Sequence, residues 1–189
     1  ADSEAMFARV RADFPAGPIV PVGYSIGSGL AAHLAQRERL PTVILLAPYF
    51  SLAELVREKA PWLPSFLLRY PLPSADYLAA APGTVTLIHG TADSLIPPTH
   101  SQRLQKSLGA RARLVLLPAD HQSLLSAPGL LPALAEALPP AGVFGRDLNP
   151  EHYRQHLGSQ REALHWDAGP GLRANALAAL LPTVAAGGF

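Results

Sequence analysis

Four short apolar runs, at 19–24, 42–47, 84–89 and 113–117, are each bounded by Pro or Gly and separated by stretches with helical patterning near 52–59, 99–108 and 122–138. A buried strand reads as a continuous apolar run because both of its faces are covered, and strands alternating with helices can close only as a parallel sheet with crossover connections. The expected class is therefore α/β: a doubly wound parallel sheet of about four strands with helices on both faces. A further helix is expected over 3–14, with Ala5, Met6, Val10 and Phe14 near helical spacing and Asp2 or Ser3 as N-cap.

The segment 48–77 differs in character. Pro48, Pro61, Pro64, Pro71 and Pro73 punctuate Tyr49, Phe50, Trp62, Phe66 and Tyr70, a pattern expected of a lid over a site. Beyond Pro139 the composition shifts to Gly, Pro and Ala. The domain reading is a catalytic unit over 1–139 carrying that insert, followed by a helical or irregular tail over 140–189.

The first run ends in Gly23-Tyr24-Ser25-Ile26-Gly27-Ser28-Gly29, followed by the helix-forming Leu30-Ala31-Ala32-His33-Leu34-Ala35-Gln36. Gly-x-Ser-x-Gly at a strand-to-helix turn is the pattern of a nucleophile elbow, in which small residues make room around a strained serine. The glycines fit neither the dinucleotide fingerprint nor a Lys-bearing phosphate loop. A serine hydroxyl attacks only when a base removes its proton, and the base needs an acid to hold its tautomer. In the order Ser, acid, His, the acid is found in Leu87-Ile88-His89-Gly90-Thr91-Ala92-Asp93. The base is found in Leu117-Pro118-Ala119-Asp120-His121. Ser25, Asp93 and His121 then all follow strand ends, where open α/β sheets gather their ligands. Asp120 is a rival acid, but adjacent residues rarely aim their side chains at one another.

Composition narrows the partners. Charged residues are only 15% and the net charge is +1, which offers no field for a nucleic-acid backbone. Zero cysteines exclude a disulfide framework, a thiolate metal site and a cysteine nucleophile. They fit either redox setting, so the cytoplasm and a membrane surface both stay open. There is no run of 18 apolar residues, and the apolar stretch 174–189 is interrupted by Asn175, Pro182 and glycines. His152 and His156 stand four apart in an expected helix over 150–165 and offer a metal pair without a third ligand at a sensible spacing. His165 does not supply it. His89 reads as structural, and His33 and His100 as helix-face residues.

On these residues, with Leu46-Ala47-Pro48-Tyr49-Phe50-Ser51-Leu52, Pro61-Trp62-Leu63-Pro64 and Ile96-Pro97 beside them, the stretch 3–138 resembles the α/β-hydrolase-fold serine hydrolases. More narrowly, it is similar to the branch holding bacterial membrane-associated esterase-like proteins and eukaryotic protein depalmitoylases. The resemblance implies Ser25 as nucleophile, His121 as base, Asp93 as orienting acid and the Ile26 N–H as an oxyanion donor. It also implies an ester, thioester or acyl-lipid substrate and no cofactor or metal. Tyr24, Tyr49, Trp62 and Ile96 are the expected substrate contacts, with Phe66 and Tyr70 divided between an acyl pocket and core packing.

Two departures accompany it. The family places Gly before the catalytic His, where this chain has Asp120. Its members also begin with further strands and a loop giving the second oxyanion N–H, which nothing before Ser25 supplies; the chain begins at Ala1 and enters a helix at once, like the C-terminal half of such a domain. The first strand is then expected to have an open edge, to be met by self-association, by a complementing chain or by the tail. The rival readings are a non-catalytic fragment that binds through that edge, and a small metal-binding module built on the tail histidines.

Overall fold

The structure, a computed structural model, describes residues 2–15, 17–62 and 70–138. Four strands, β1 (Val22–Tyr24), β2 (Thr42–Leu46), β3 (Thr84–Gly90) and β4 (Ala112–Leu117), pair in parallel in the order β1-β2-β3-β4. Register is continuous: Gly23 faces Leu45, Leu45 faces Leu87, and Leu87 faces Leu114. β2 and β3 are the apolar central strands, buried from Val43 to Leu46 and from Val85 to Gly90. Among the described residues nothing pairs with the outer side of β1, where Val22 is half exposed.

The period of two divides the core between the sheet's faces. Val43, Leu45, Val85 and Leu87 pack with α2 (Gly27–Arg37), α4 (Ser74–Ala80) and α5 (Thr99–Leu108). Ile44, Leu46 and Ile88 pack with Leu124, Leu130 and Ala133, the last two on α6 (Leu130–Ala137). Helices thus cover both faces, and the sheet is doubly wound.

Three details depart from the sequence expectation. In α1 (Asp2–Asp13), Met6 and Val10 face solvent, and it is Phe7 that packs on the core while Glu4 pairs with Arg37 at 2.5 Å. The segment 48–77 is described over 48–62 and 70–77. It holds α3 (Leu52–Lys59) and the start of α4, an unforeseen crossover helix whose Leu78 is fully buried against α2. The stretch 122–138 is two pieces, a 3₁₀ turn at Ser123–Ser126 and then α6, because Pro128 and Gly129 interrupt it.

α3 is fastened to α5 by an Arg103–Glu54 ion pair and by His100, whose Nε2 lies 3.1 Å from Glu58. His100 is therefore a buried clamp rather than a helix-face residue, with its Nδ1 accepting the Phe50 N–H. Among the described residues no helix is long and apolar enough to cross a membrane. Phe66, the tail, its expected helix and its histidines lie outside the described residues.

Candidate active site

The turn between β1 and α2 is shaped by what cannot fit there. Ser25 adopts φ 53°, a left-handed conformation that L-residues hold only when their surroundings over-determine it. Its N–H continues the sheet ladder to the Leu46 carbonyl at 2.9 Å, and its own carbonyl accepts both the N–H and the hydroxyl of buried Ser28. A Cβ at position 23 would lie 2.5 Å from the Gly27 carbonyl oxygen and 2.7 Å from Ser28 Cα, so only glycine lets α2 start this close to β1. A Cβ at 29 would meet the Tyr49 hydroxyl at 2.1 Å. Position 27 is different: nothing lies within 4 Å of a Cβ there, so crowding does not demand the motif's second glycine, contrary to the sequence expectation.

Ser25 and His121 follow opposite edge strands, whose axes are about 14 Å apart at the usual interstrand spacing. The loop after β4 must therefore reach back across β3 and β2. Main-chain bonds to the loop after β3 hold it there, Thr91 N–H to the Leu117 carbonyl at 2.8 Å and Ala92 N–H to Ala119 at 3.0 Å. Gly90 permits this approach, since a Cβ there would lie 2.3 Å from the Ala119 oxygen.

The result is a continuous chain of side chains. His121 Nε2 lies 2.9 Å from Ser25 Oγ, and His121 Nδ1 lies 2.7 Å from Asp93 Oδ2. An ionised carboxylate only accepts, so the proton belongs on Nδ1 and the Nε2 lone pair faces the serine hydroxyl. An imidazole so placed can take the hydroxyl's proton as the oxygen attacks. Asp93 is fully buried, and its Oδ1 accepts the N–H groups of Leu95 at 3.0 Å and Ile96 at 2.8 Å. The sequence reading missed these two donors, although Asp followed by amides at i+2 and i+3 is an Asx-turn pattern.

Asp120 does something else. Its carboxylate accepts the Ser123 N–H at 2.8 Å and hydroxyl at 2.7 Å, and its own N–H donates to Ser123 Oγ. Those bonds hold its carboxyl below the usual carboxylate range, the Ser123 amide contributing most. The rival acid thus caps the 120–123 turn at His121 and leaves the ring to Asp93.

Of the residues expected to contact substrate, Tyr24 is half-buried beside His121, its ring stacked on the imidazole at 5.2 Å and its hydroxyl donating to the His121 carbonyl at 2.6 Å. Burial, followed by the charges of Asp93 and Asp120, pushes its phenol up and keeps it a donor. Tyr49 is fully buried, with its hydroxyl bonded to the Ile26 carbonyl at 3.1 Å. Burial pushes that phenol up to about 12. Tyr49 is a core residue beneath the elbow and presents no surface to a ligand. Ile96 is likewise 2% exposed, and its backbone rather than its side chain serves the site. Trp62, at 79% exposed, and Ile26, at 63%, are open to solvent. The Ile26 amide stands at the start of α2, among donors that a helix leaves without intrahelical acceptors.

No family model matches the chain. Among solved structures, it superposes on the Pyrococcus furiosus esterase Pf2001 with a TM-score of 0.51 at 14% identity, covering 86% of this chain and 60% of that one. It superposes on a carboxylesterase structure from Nitrososphaera gargenis with a TM-score of 0.51 at 13% identity, covering 71% and 69%. The chain has the α/β-hydrolase fold. In sequence, this α/β-hydrolase-fold chain is 30% identical over 140 residues to uncharacterized protein Rv2307c of Mycobacterium tuberculosis, covering 72% of the chain and 50% of that protein. It is 32% identical over 114 residues to uncharacterized protein YfhR of Escherichia coli K12, covering 58% and 40%. The chain thus spans about half the length of the curated relatives it matches.

Proposed function

We propose that this chain carries the nucleophile, base and acid of a serine hydrolase that cleaves an ester, thioester or acyl-lipid bond through an acyl-enzyme on Ser25. The observation carrying the reading is the Ser25–His121–Asp93 chain, with separations of 2.9 and 2.7 Å, drawn from three loops at one end of the sheet. As Ser25 Oγ bonds to the acyl carbon, its proton passes to His121 Nε2. The bond from the acyl carbon to the leaving group then breaks, and the leaving group departs with that proton. Water repeats the sequence and releases the acid. Asp93 stays ionised throughout, fixing the imidazole's tautomer and stabilising its cation. The Ile26 N–H faces the developing oxyanion, a contribution worth about 10² to 10³ in rate for one donor.

Intact-mass labelling with a fluorophosphonate tests this without the natural substrate, because Ser25 Oγ displaces fluoride and becomes phosphonylated. One adduct on the wild-type chain and none on Ser25→Ala or His121→Ala is expected. A folded wild-type chain that takes no adduct refutes the reading.

A further inference from the structure

His89 has no exposed surface, and the scheme above gives it no part. Its surroundings define its state. Nε2 is 2.8 Å from the Ile96 carbonyl, which can only accept, so Nε2 carries the proton. Nδ1 is 2.6 Å from Ser101 Oγ on α5 and accepts that hydroxyl's proton. Burial holds the imidazole below its ordinary value and keeps it neutral. The same Nε2 atom lies 3.4 Å from Asp93 Oδ2, the oxygen that receives His121.

These bonds close on themselves. Ile96 uses both of its main-chain groups, its N–H donating to Asp93 Oδ1 and its carbonyl accepting from His89. The Asp93 carboxylate is therefore held through the Ile96 backbone on one oxygen, and its other oxygen lies 3.4 Å from His89 Nε2. Without His89, the Ile96 carbonyl would be a buried acceptor without its donor, and the 93–96 turn would have to reorganise to satisfy it. That turn supplies both amides holding the acid.

We propose that His89, held as its Nε2–H tautomer by the Ile96 carbonyl, is a positioning residue that holds the Asp93 carboxylate on His121 by way of Ile96. This rests on the reading above of Asp93 as the acid that orients His121. His89 reaches Ser25 through Ile96, Asp93 and His121, so the consequence of its placement is read in the tautomer of His121. With the carboxylate in place, the proton sits on Nδ1; with the carboxylate displaced, the Nε2–H form gains population and the ring no longer accepts from Ser25.

The test is ¹⁵N-histidine NMR of the whole chain, which reads the tautomer directly, with fluorophosphonate labelling rates measured alongside. The wild type is expected to show His121 protonated on Nδ1. His89→Leu, which removes the donor, is expected to mix in the Nε2–H form and to slow labelling about 10- to 100-fold, the range for small misplacements of a reacting group. His89→Gln places an amide N–H at about the reach of imidazole Nε2, and it is expected to restore the Nδ1–H form and most of the rate. A residue needed only for packing would not separate Gln from Leu in this way. Should the Leu variant fail to fold, Ser101→Ala removes the Nδ1 partner that steadies the His89 ring over Ile96, and it is expected to change His121 in the same direction and slow labelling about threefold.

A wild-type His121 lacking the Nδ1–H form overturns the proposal. So does a folded His89→Leu, or a Ser101→Ala standing in for it, that keeps the wild-type tautomer. A wild-type chain with the Nδ1–H tautomer and no labelling refutes the acyl-transfer reading, and the variants' tautomers still decide the role of His89.

Discussion

The two glycines that define the elbow motif should behave oppositely when each is changed to alanine. At Gly23 the added Cβ meets the Gly27 carbonyl oxygen at 2.5 Å, Ser28 Cα at 2.7 Å and Ala31 Cβ at 2.7 Å. Two of those three atoms are main chain, so no rotamer change relieves the clash and the start of α2 must move away from β1. Overpacking a well-packed site costs about 1–3 kcal/mol, and an unyielding backbone puts Gly23→Ala at the upper end, about 3 kcal/mol. At Gly27 a Cβ meets nothing within 4 Å and the backbone is helical. Gly27→Ala should therefore gain about 0.5–1 kcal/mol, from helix propensity and a less disordered unfolded chain. The gap of about 4 kcal/mol is nearly a thousandfold in the folding equilibrium. Urea unfolding followed by circular dichroism measures it, provided the slopes match so that midpoints compare stabilities directly. Gly27→Ala should also keep wild-type fluorophosphonate reactivity. If the two variants lose stability equally, or if Gly23→Ala unfolds at the wild-type midpoint, the steric account of the elbow is wrong.

Two further outcomes follow from the loop that carries His121. Tyr24→Phe keeps the stacked ring but loses the 2.6 Å bond to the His121 carbonyl, and it should cost about 1 kcal/mol of stability and slow Ser25 labelling a few-fold, with Tyr24→Leu slower again. A Tyr24→Phe variant labelled at the wild-type rate would show that the hydroxyl does not tether that loop. The folded Asp120 carboxyl titrates below its unfolded value, so its contribution is complete above the usual carboxylate range and is lost as pH falls through the lower, folded value. The thermal midpoint should consequently fall less between pH 5 and pH 3 in Asp120→Asn than in the wild type, and identical slopes would refute the capping role.

The parallel sheet was legible because β2 and β3 are buried on both sides, which leaves unbroken apolar runs such as Val43-Ile44-Leu45-Leu46. The helix α4 was not, because Ser74–Ala80 is short and follows Pro71 and Pro73, and the docking of Leu78 on α2 is a tertiary contact without a local pattern. For α1 the helical period was visible but its phase was not. Met6 and Phe7 are equally apolar in sequence, and only the position of α2 selects Phe7. At the site, chain order brought out Ser25, Asp93 and His121, and the poor geometry of adjacent side chains set Asp120 aside. Chain order could not tell a pocket aromatic from a buried one. Tyr49 lies beneath the elbow because Gly29 leaves room for its hydroxyl, and that vacancy exists only once α2 is seated.

The strand order also governs when the site comes into being. Each crossover joins neighbouring strands, so the sheet can extend in chain order from β1 to β4. Ser25 and His121 follow β1 and β4, the first and last strands among the described residues, and stand 96 residues apart. An assembly intermediate holding β1, β2 and β3 would already contain the elbow serine and the acid, yet not the His121 imidazole. Parallel pairing without hairpins is intrinsically slow, since each added strand closes a long loop before any contact compensates. Any reactivity of Ser25 is thereby deferred until β4 has docked, and a chain that has not yet docked it carries an inert hydroxyl.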